Sequence, residues 1–123
     1  FAPVLGANGG GAIVNVLSVL SWFSAPQSAL YCAAKAASWS LTNSLRLELL
    51  GQHTQVVAVH VGFMDTDMTA GLDVPKSSPD DVARQVLDGV EAGNFEVLAD
   101  DPSRQVRAAL SGELTQLYPA LAS

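Results

Sequence analysis

Ala12-Ile13-Val14-Asn15-Val16-Leu17-Ser18 is the stretch on which the fold turns. It is a short, mostly apolar run with β-branched Ile13, Val14 and Val16, of the kind that is buried in a parallel sheet, and it ends at a hydroxyl. Downstream, Pro26 breaks the chain, and Tyr31-Cys32-Ala33-Ala34-Lys35 opens a stretch predicted to be helical from about Ala29 to Leu50. Ser28 is placed to cap it and Gly51 to end it. Positions i and i+4 share a helix face, so Tyr31 and Lys35 can enter one cleft. An ammonium beside a phenol favours the phenolate, as proton transfer near neutral pH requires.

Working outward, Phe1 to Leu5 reads as the last turn of a helix, closed by Gly6 and Gly9-Gly10-Gly11. Gln55 to Val61 is a second β-branched run ending at Gly62, followed by an irregular segment to Ser78. Pro79 starts a helix to about Glu91. There Val82, Val86, Leu87 and Val90 recur at helical spacing, and Asp80 and Asp81 suit the positive N-terminal end. Gly93-Asn94 turns the chain into a third strand, Phe95 to Ala99, and the tail from Pro102 keeps a weaker helical period. Alternating strands and helices imply an α/β fold with parallel strands and right-handed crossovers. Ligands in such sheets bind beyond the carboxyl ends of the strands, where Ser18, the start of the Tyr31 helix and the Gly62 turn all fall.

The 123 residues suit one modest domain, with 49% apolar and 15% charged residues, and a net charge of −6 without a basic stripe argues against nucleic acid. Cys32 is the single cysteine, which excludes an intrachain disulfide and a thiolate cluster and fits a reducing cytoplasm. The most apolar run, Gly11 to Phe23, is interrupted by polar residues and too short to span a bilayer. No partner nucleic acid, membrane or metal is therefore expected. Asp65, Asp67 and Asp73 read as a solvated loop. His53 reads as a turn residue and His60 as a structural residue of a buried strand.

With Ser18, Tyr31-Cys32-Ala33-Ala34-Lys35 and Val61-Gly62-Phe63-Met64-Asp65-Thr66 in this order, the chain resembles the C-terminal half of a short-chain dehydrogenase/reductase. The close match runs from about Gly11 to Thr69. The resemblance implies the last three strands of a doubly wound Rossmann-type sheet, with residues 1–123 forming the C-terminal part of a single domain. It implies an oxidoreductase that interconverts an alcohol and a carbonyl with NAD or NADP, on a small-molecule substrate. Tyr31 would exchange a proton with the substrate oxygen, Ser18 would hydrogen-bond that oxygen, and Lys35 would assist Tyr31 and hold the nicotinamide ribose. Gly62, Met64 and Thr66 would meet the cofactor alongside Tyr31 and Lys35, while Asn15 would hold the region together. The long Ala-rich helix would pair subunits into a homo-oligomer.

The chain also departs from that family. Val61 replaces the usual proline, which should loosen the Gly62 turn. No glycine-rich dinucleotide fingerprint precedes a strand–helix unit: Gly6-Ala7-Asn8-Gly9-Gly10-Gly11 follows a helix and enters a strand, the reverse of what phosphate binding needs. The residue that selects NAD or NADP is absent too. Two rivals follow, a non-catalytic binding or regulatory protein and an epimerase- or lyase-type relative. Leu20, Trp22, Phe23, Phe63 and Met64 could equally form a substrate wall or ordinary core.

Overall fold

A computed structural model describes residues 1–65 and 67–122. Its elements are α1 (Ala2–Ala7), β1 (Gly11–Val16), α2 (Ala29–Glu48), β2 (Thr54–His60), α3 (Pro79–Glu91), β3 (Glu96–Leu98), α4 (Asp101–Ala109) and α5 (Leu114–Leu117). The three strands form a parallel sheet in the order β1-β2-β3, with Val14 opposite Val57 and Val59 opposite Val97. The expected alternation of strand and helix is therefore present, and the fold is α/β and Rossmann-type.

The central strand holds the core. Val56 to His60 are fully or almost fully buried, as a strand covered on both faces must be. Val57, Val59 and Val61 cluster with Val82, Val97 and Ala99, and Met64, Val86 and Val90 pack against them. β1 departs from the expectation of burial. Val14 is 38% and Val16 54% exposed, because among the described residues β1 has a neighbour on one edge only. Leu87, counted at helical spacing with the core residues, is also exposed. It lies beside the same open face, in a shallow apolar groove with Val14, Val16, Val82 and Val86.

Two helix ends differ from expectation. Ser28 occupies the N-cap position of α2, but its side chain makes no cap hydrogen bond, because the helix grows directly out of a 3-10 turn over Pro26–Ser28. α2 stops at Glu48 and passes through a second 3-10 turn, so the left-handed residue is His53, at φ 55°, rather than Gly51. The glycine run has a backbone role: Gly10 has φ 106°, and a Cβ there would sit 2.3 Å from the His53 carbonyl oxygen. Only glycine accepts both that dihedral and that approach. α3 has the expected bounds, with the Ser78 hydroxyl accepting from the Asp81 N–H. No helix among the described residues is long and apolar enough to cross a membrane.

Candidate active site

Ser18 sits two residues beyond β1. Leu17 N–H donates to Val59 O at 2.7 Å and Val19 N–H to Val61 O at 3.1 Å, so the β1–β2 ladder continues on both sides of it. Ser18 itself is extended and caps a 3-10 turn over Val19–Ser21, with its Oγ accepting from Leu20 N–H at 3.1 Å. That bond occupies one lone pair and leaves the hydroxyl proton to be donated elsewhere.

Tyr31 stands in the first turn of α2, 51% exposed. The half-buried Lys35 places Nζ 5.6 Å from its ring centroid, confirming the shared face. The helix N-terminus adds a positive potential at the Tyr31 end. Cys32 turns the other way: it is buried, and its Sγ accepts from Ala25 N–H at 3.4 Å. α2 is pinned to β1 by Asn15 Nδ2 donating to Thr42 Oγ1 at 3.1 Å, while that hydroxyl donates to Ser38 O at 2.7 Å. Asn15 thus has the structural role expected of it, joining the strand that carries Ser18 to the helix that carries Tyr31.

The Gly62 turn is tied down from a distance. Gly62 N–H donates to Asp100 Oδ2 at 2.7 Å, and Asp100 Oδ1 accepts Ser103 N–H at 3.0 Å as the cap of α4. One carboxylate therefore replaces by tertiary contact the rigidity that Val61 in place of proline was expected to remove. Sequence reasoning passed over Asp100, although Asp-Asp-Pro-Ser is a helix-start signature. Its cross-molecule bond to Gly62 has no sequence signal. Beyond Gly62, Phe63, Asp65 and Ser77 exchange backbone bonds (Ser77 N–H to Phe63 O, 2.7 Å; Asp65 N–H to Ser77 O, 2.8 Å). Met64, expected at the cofactor, is partly buried with its side chain packed against the core cluster, and its carbonyl accepts from the Thr69 hydroxyl. Thr66 lies outside the described residues. A cavity of about 290 Å³ borders Gly62, lined also by Val19, Phe63, Lys76, Asp101 and Pro102.

Behind Ser18 lies His60, fully buried. Its Nδ1 is 3.0 Å from Ser21 Oγ and 3.2 Å from Ser18 O, and its ring stacks on Trp22 at 3.6 Å. Burial pushes its pKa below the usual histidine value. The Ser18 carbonyl and Glu96 act in the opposite direction, and Arg107 and Arg46 add to the lowering. Of the possible wall residues, Trp22 is core, in edge contact with Trp39. Phe23 lies against Tyr118, whose hydroxyl accepts from Ser24 N–H at 2.8 Å. Phe63 is exposed.

Residues 1–76 match the family model described as short chain dehydrogenase. The 3-oxoacyl-[acyl-carrier-protein] reductase FabG of Chlamydia muridarum is 35% identical over 83 residues, which are 68% of this chain and 31% of that protein. The 2,5-dichloro-2,5-cyclohexadiene-1,4-diol dehydrogenase LinX of Sphingobium indicum is 31% identical over 93 residues, 76% of this chain and 35% of that protein. A short chain dehydrogenase from Burkholderia cenocepacia, solved in complex with NADP, superimposes with a TM-score of 0.89 at 32% identity. That match covers all of this chain and 52% of the Burkholderia one. The chain thus spans about a third of the length of these curated relatives and about half of that solved chain. On the family match and the placement of its Ser, Tyr, Lys and Gly residues together, this chain belongs to the short-chain dehydrogenase family.

Proposed function

We propose that this chain carries the proton-transfer side of an NAD(P)-dependent oxidoreductase that interconverts an alcohol and a carbonyl in a small molecule. The observation that carries this reading is Ser18, still able to donate its proton, beside the Gly62 turn at the carboxyl ends of β1 and β2, with Tyr31 and Lys35 sharing a face of α2, the helix that packs on the turn Ser18 caps. In the reductive direction Tyr31 Oη gives its proton to the substrate oxygen, and in the oxidative direction it takes that proton back. Ser18 Oγ–H donates to the same oxygen and stabilises the charge that develops there. The Lys35 ammonium offsets the negative charge left on Tyr31.

The residues present fit the nicotinamide end of a dinucleotide. Gly62 presents a turn without a side chain, and Tyr31 and Lys35 offer a hydroxyl and an ammonium to ribose hydroxyls. Bound there, the nicotinamide supplies or accepts the hydride. The diphosphate and adenosine find no glycine fingerprint in these 123 residues. We therefore read residues 1–123 as the C-terminal part of a Rossmann-type domain whose fingerprint half lies outside this chain. The NADP of the Burkholderia relative supports a nicotinamide cofactor, and the names of the curated relatives support alcohol–carbonyl chemistry. A homo-oligomer built on α2 is supported by its exposed Leu30, Leu41 and Leu47 beside exposed Ala33, Ala34 and Ala37.

The test is turnover of the intact protein containing this chain with NADH and NADPH against a panel of ketones and secondary alcohols. Tyr31→Phe is expected to cut kcat by roughly 10²–10⁴-fold with unchanged circular dichroism. Undiminished turnover in that variant would overturn the assignment.

A further inference from the structure

The His60 imidazole has two nitrogens with opposite circumstances, and the bonds around it decide where its proton sits. A carbonyl oxygen can only accept, so the 3.2 Å approach of Nδ1 to Ser18 O requires a proton on Nδ1. Ser21 leads to the same answer. Its hydroxyl proton is directed to Ser18 O, so its oxygen accepts from Nδ1 at 3.0 Å. Ser18 O thereby collects Ser21 N–H at 3.0 Å, the Ser21 hydroxyl and the imidazole N–H. Nε2 then carries a lone pair. It is buried without a hydrogen-bond partner among the described residues, 3.6 Å from Glu96 Oε2. Glu96 is otherwise engaged by Trp39 Nε1–H at 3.3 Å and Arg107 Nε–H at 3.2 Å.

We propose that His60, held as its Nδ1–H tautomer, is a positioning residue for Ser18, fixing the Ser18 peptide through its carbonyl so that the hydroxyl faces the substrate oxygen. Among the described residues, the backbone bonds beside Ser18 run from its neighbours, Leu17 N–H to Val59 O in β2 and Val19 N–H to Val61 O just beyond it. The imidazole is the side chain from β2 that grips the Ser18 residue itself, directly and through Ser21. Trp22 holds the ring plane by stacking on one face. The charged groups around the ring are Glu96 from β3, Arg107 from α4 and Arg46 from α2. The two guanidiniums oppose a second proton and Glu96 favours it. Burial adds to the guanidiniums and keeps the ring neutral, with a single N–H pointing to Ser18.

This assignment rests on Ser18 being the group that meets the substrate oxygen, and two measurements separate the two claims. The first needs no turnover: ¹⁵N NMR of the intact protein labelled at histidine, with the His60→Asn spectrum identifying the resonance. Expected is a protonated Nδ1 and a bare Nε2 at neutral pH. An Nε2–H tautomer overturns the proposal whatever the activities of the variants. The second compares His60→Phe, which keeps a ring on Trp22 but has no donor, with His60→Asn, whose Nδ2–H₂ can occupy the place of Nδ1–H. The Phe variant is expected to lose roughly tenfold or more in kcat with the KM for the nicotinamide within about twofold, and Asn to recover most of it. Wild-type kcat in the Phe variant, or an equal loss in a folded Asn variant, overturns the positioning role. Should Tyr31→Phe keep full turnover, the dehydrogenase reading itself falls, and the tautomer measurement still decides whether His60 grips Ser18.

Discussion

Asp100 shows how one side chain can serve stability and site geometry together. It caps α4 and holds the Gly62 N–H, so Asp100→Ala removes an N-cap and leaves a turn amide without its acceptor. A loss of about 1–2 kcal/mol is expected from urea denaturation, with Asp100→Asn intermediate because its amide offers one acceptor oxygen. His60 makes a second prediction at this scale. Its folded pKa is lowered, while the unfolded chain titrates near 6.5. Between the two values the unfolded state binds more protons, so stability rises with pH across that window. As pH falls from about 6.5 toward the lowered value, the contribution of the neutral ring is lost; above 6.5 it is constant. Urea midpoints of wild type and His60→Phe from pH 8 to pH 5 check this. The wild-type curve should fall more steeply on the acid side, and parallel curves would refute the account.

At the scale of elements, α2 separates its small residues from its anchor. Ala33, Ala34, Ala36 and Ala37 are exposed, and the residues it buries are Cys32 and Thr42. The sheet side of the helix is thus polar at its anchor, where Asn15 meets Thr42. Thr42→Val, nearly equal in shape, strands the Asn15 amide and should cost about 1–3 kcal/mol in thermal or urea unfolding. A neutral result would mean that water or another group replaces the hydroxyl. α3 behaves as its sequence reads, since Ser78, Pro79, Asp80 and Asp81 are all suited to a helix start. Ser78→Ala should cost about 1 kcal/mol.

For the whole molecule, the open edge and half-exposed face of β1 matter most. Val14 and Val16 lie on that face, and an unpaired parallel strand presents free backbone donors and acceptors to any strand it meets. The 123-residue chain by itself is therefore expected to self-associate. Val16→Lys should raise the monomer fraction in analytical ultracentrifugation, because a charge on that face opposes strand addition. Equal association in the variant would place the contact elsewhere, with exposed Leu30, Leu41 and Leu47 of α2 the next surface to test.

What was legible before the structure were local and periodic features. Two β-branched runs, the 20-residue α2, the bounds of α3 and the shared face of Tyr31 and Lys35 follow from steric preference and helix spacing, which act between near neighbours in the chain. The placement of Ser18 and the Gly62 turn side by side was legible for a related reason, since parallel strands joined by right-handed crossovers place their carboxyl ends together. What only the tertiary structure decided were pairings between distant residues: Asp100 with Gly62, His60 with Ser18 and Ser21, Asn15 with Thr42, and Met64 directed to the core. Such contacts depend on where folded elements come to lie, to within an ångström. A hydrogen bond between residues so far apart in the chain leaves no period, cap or turn in the sequence to mark it.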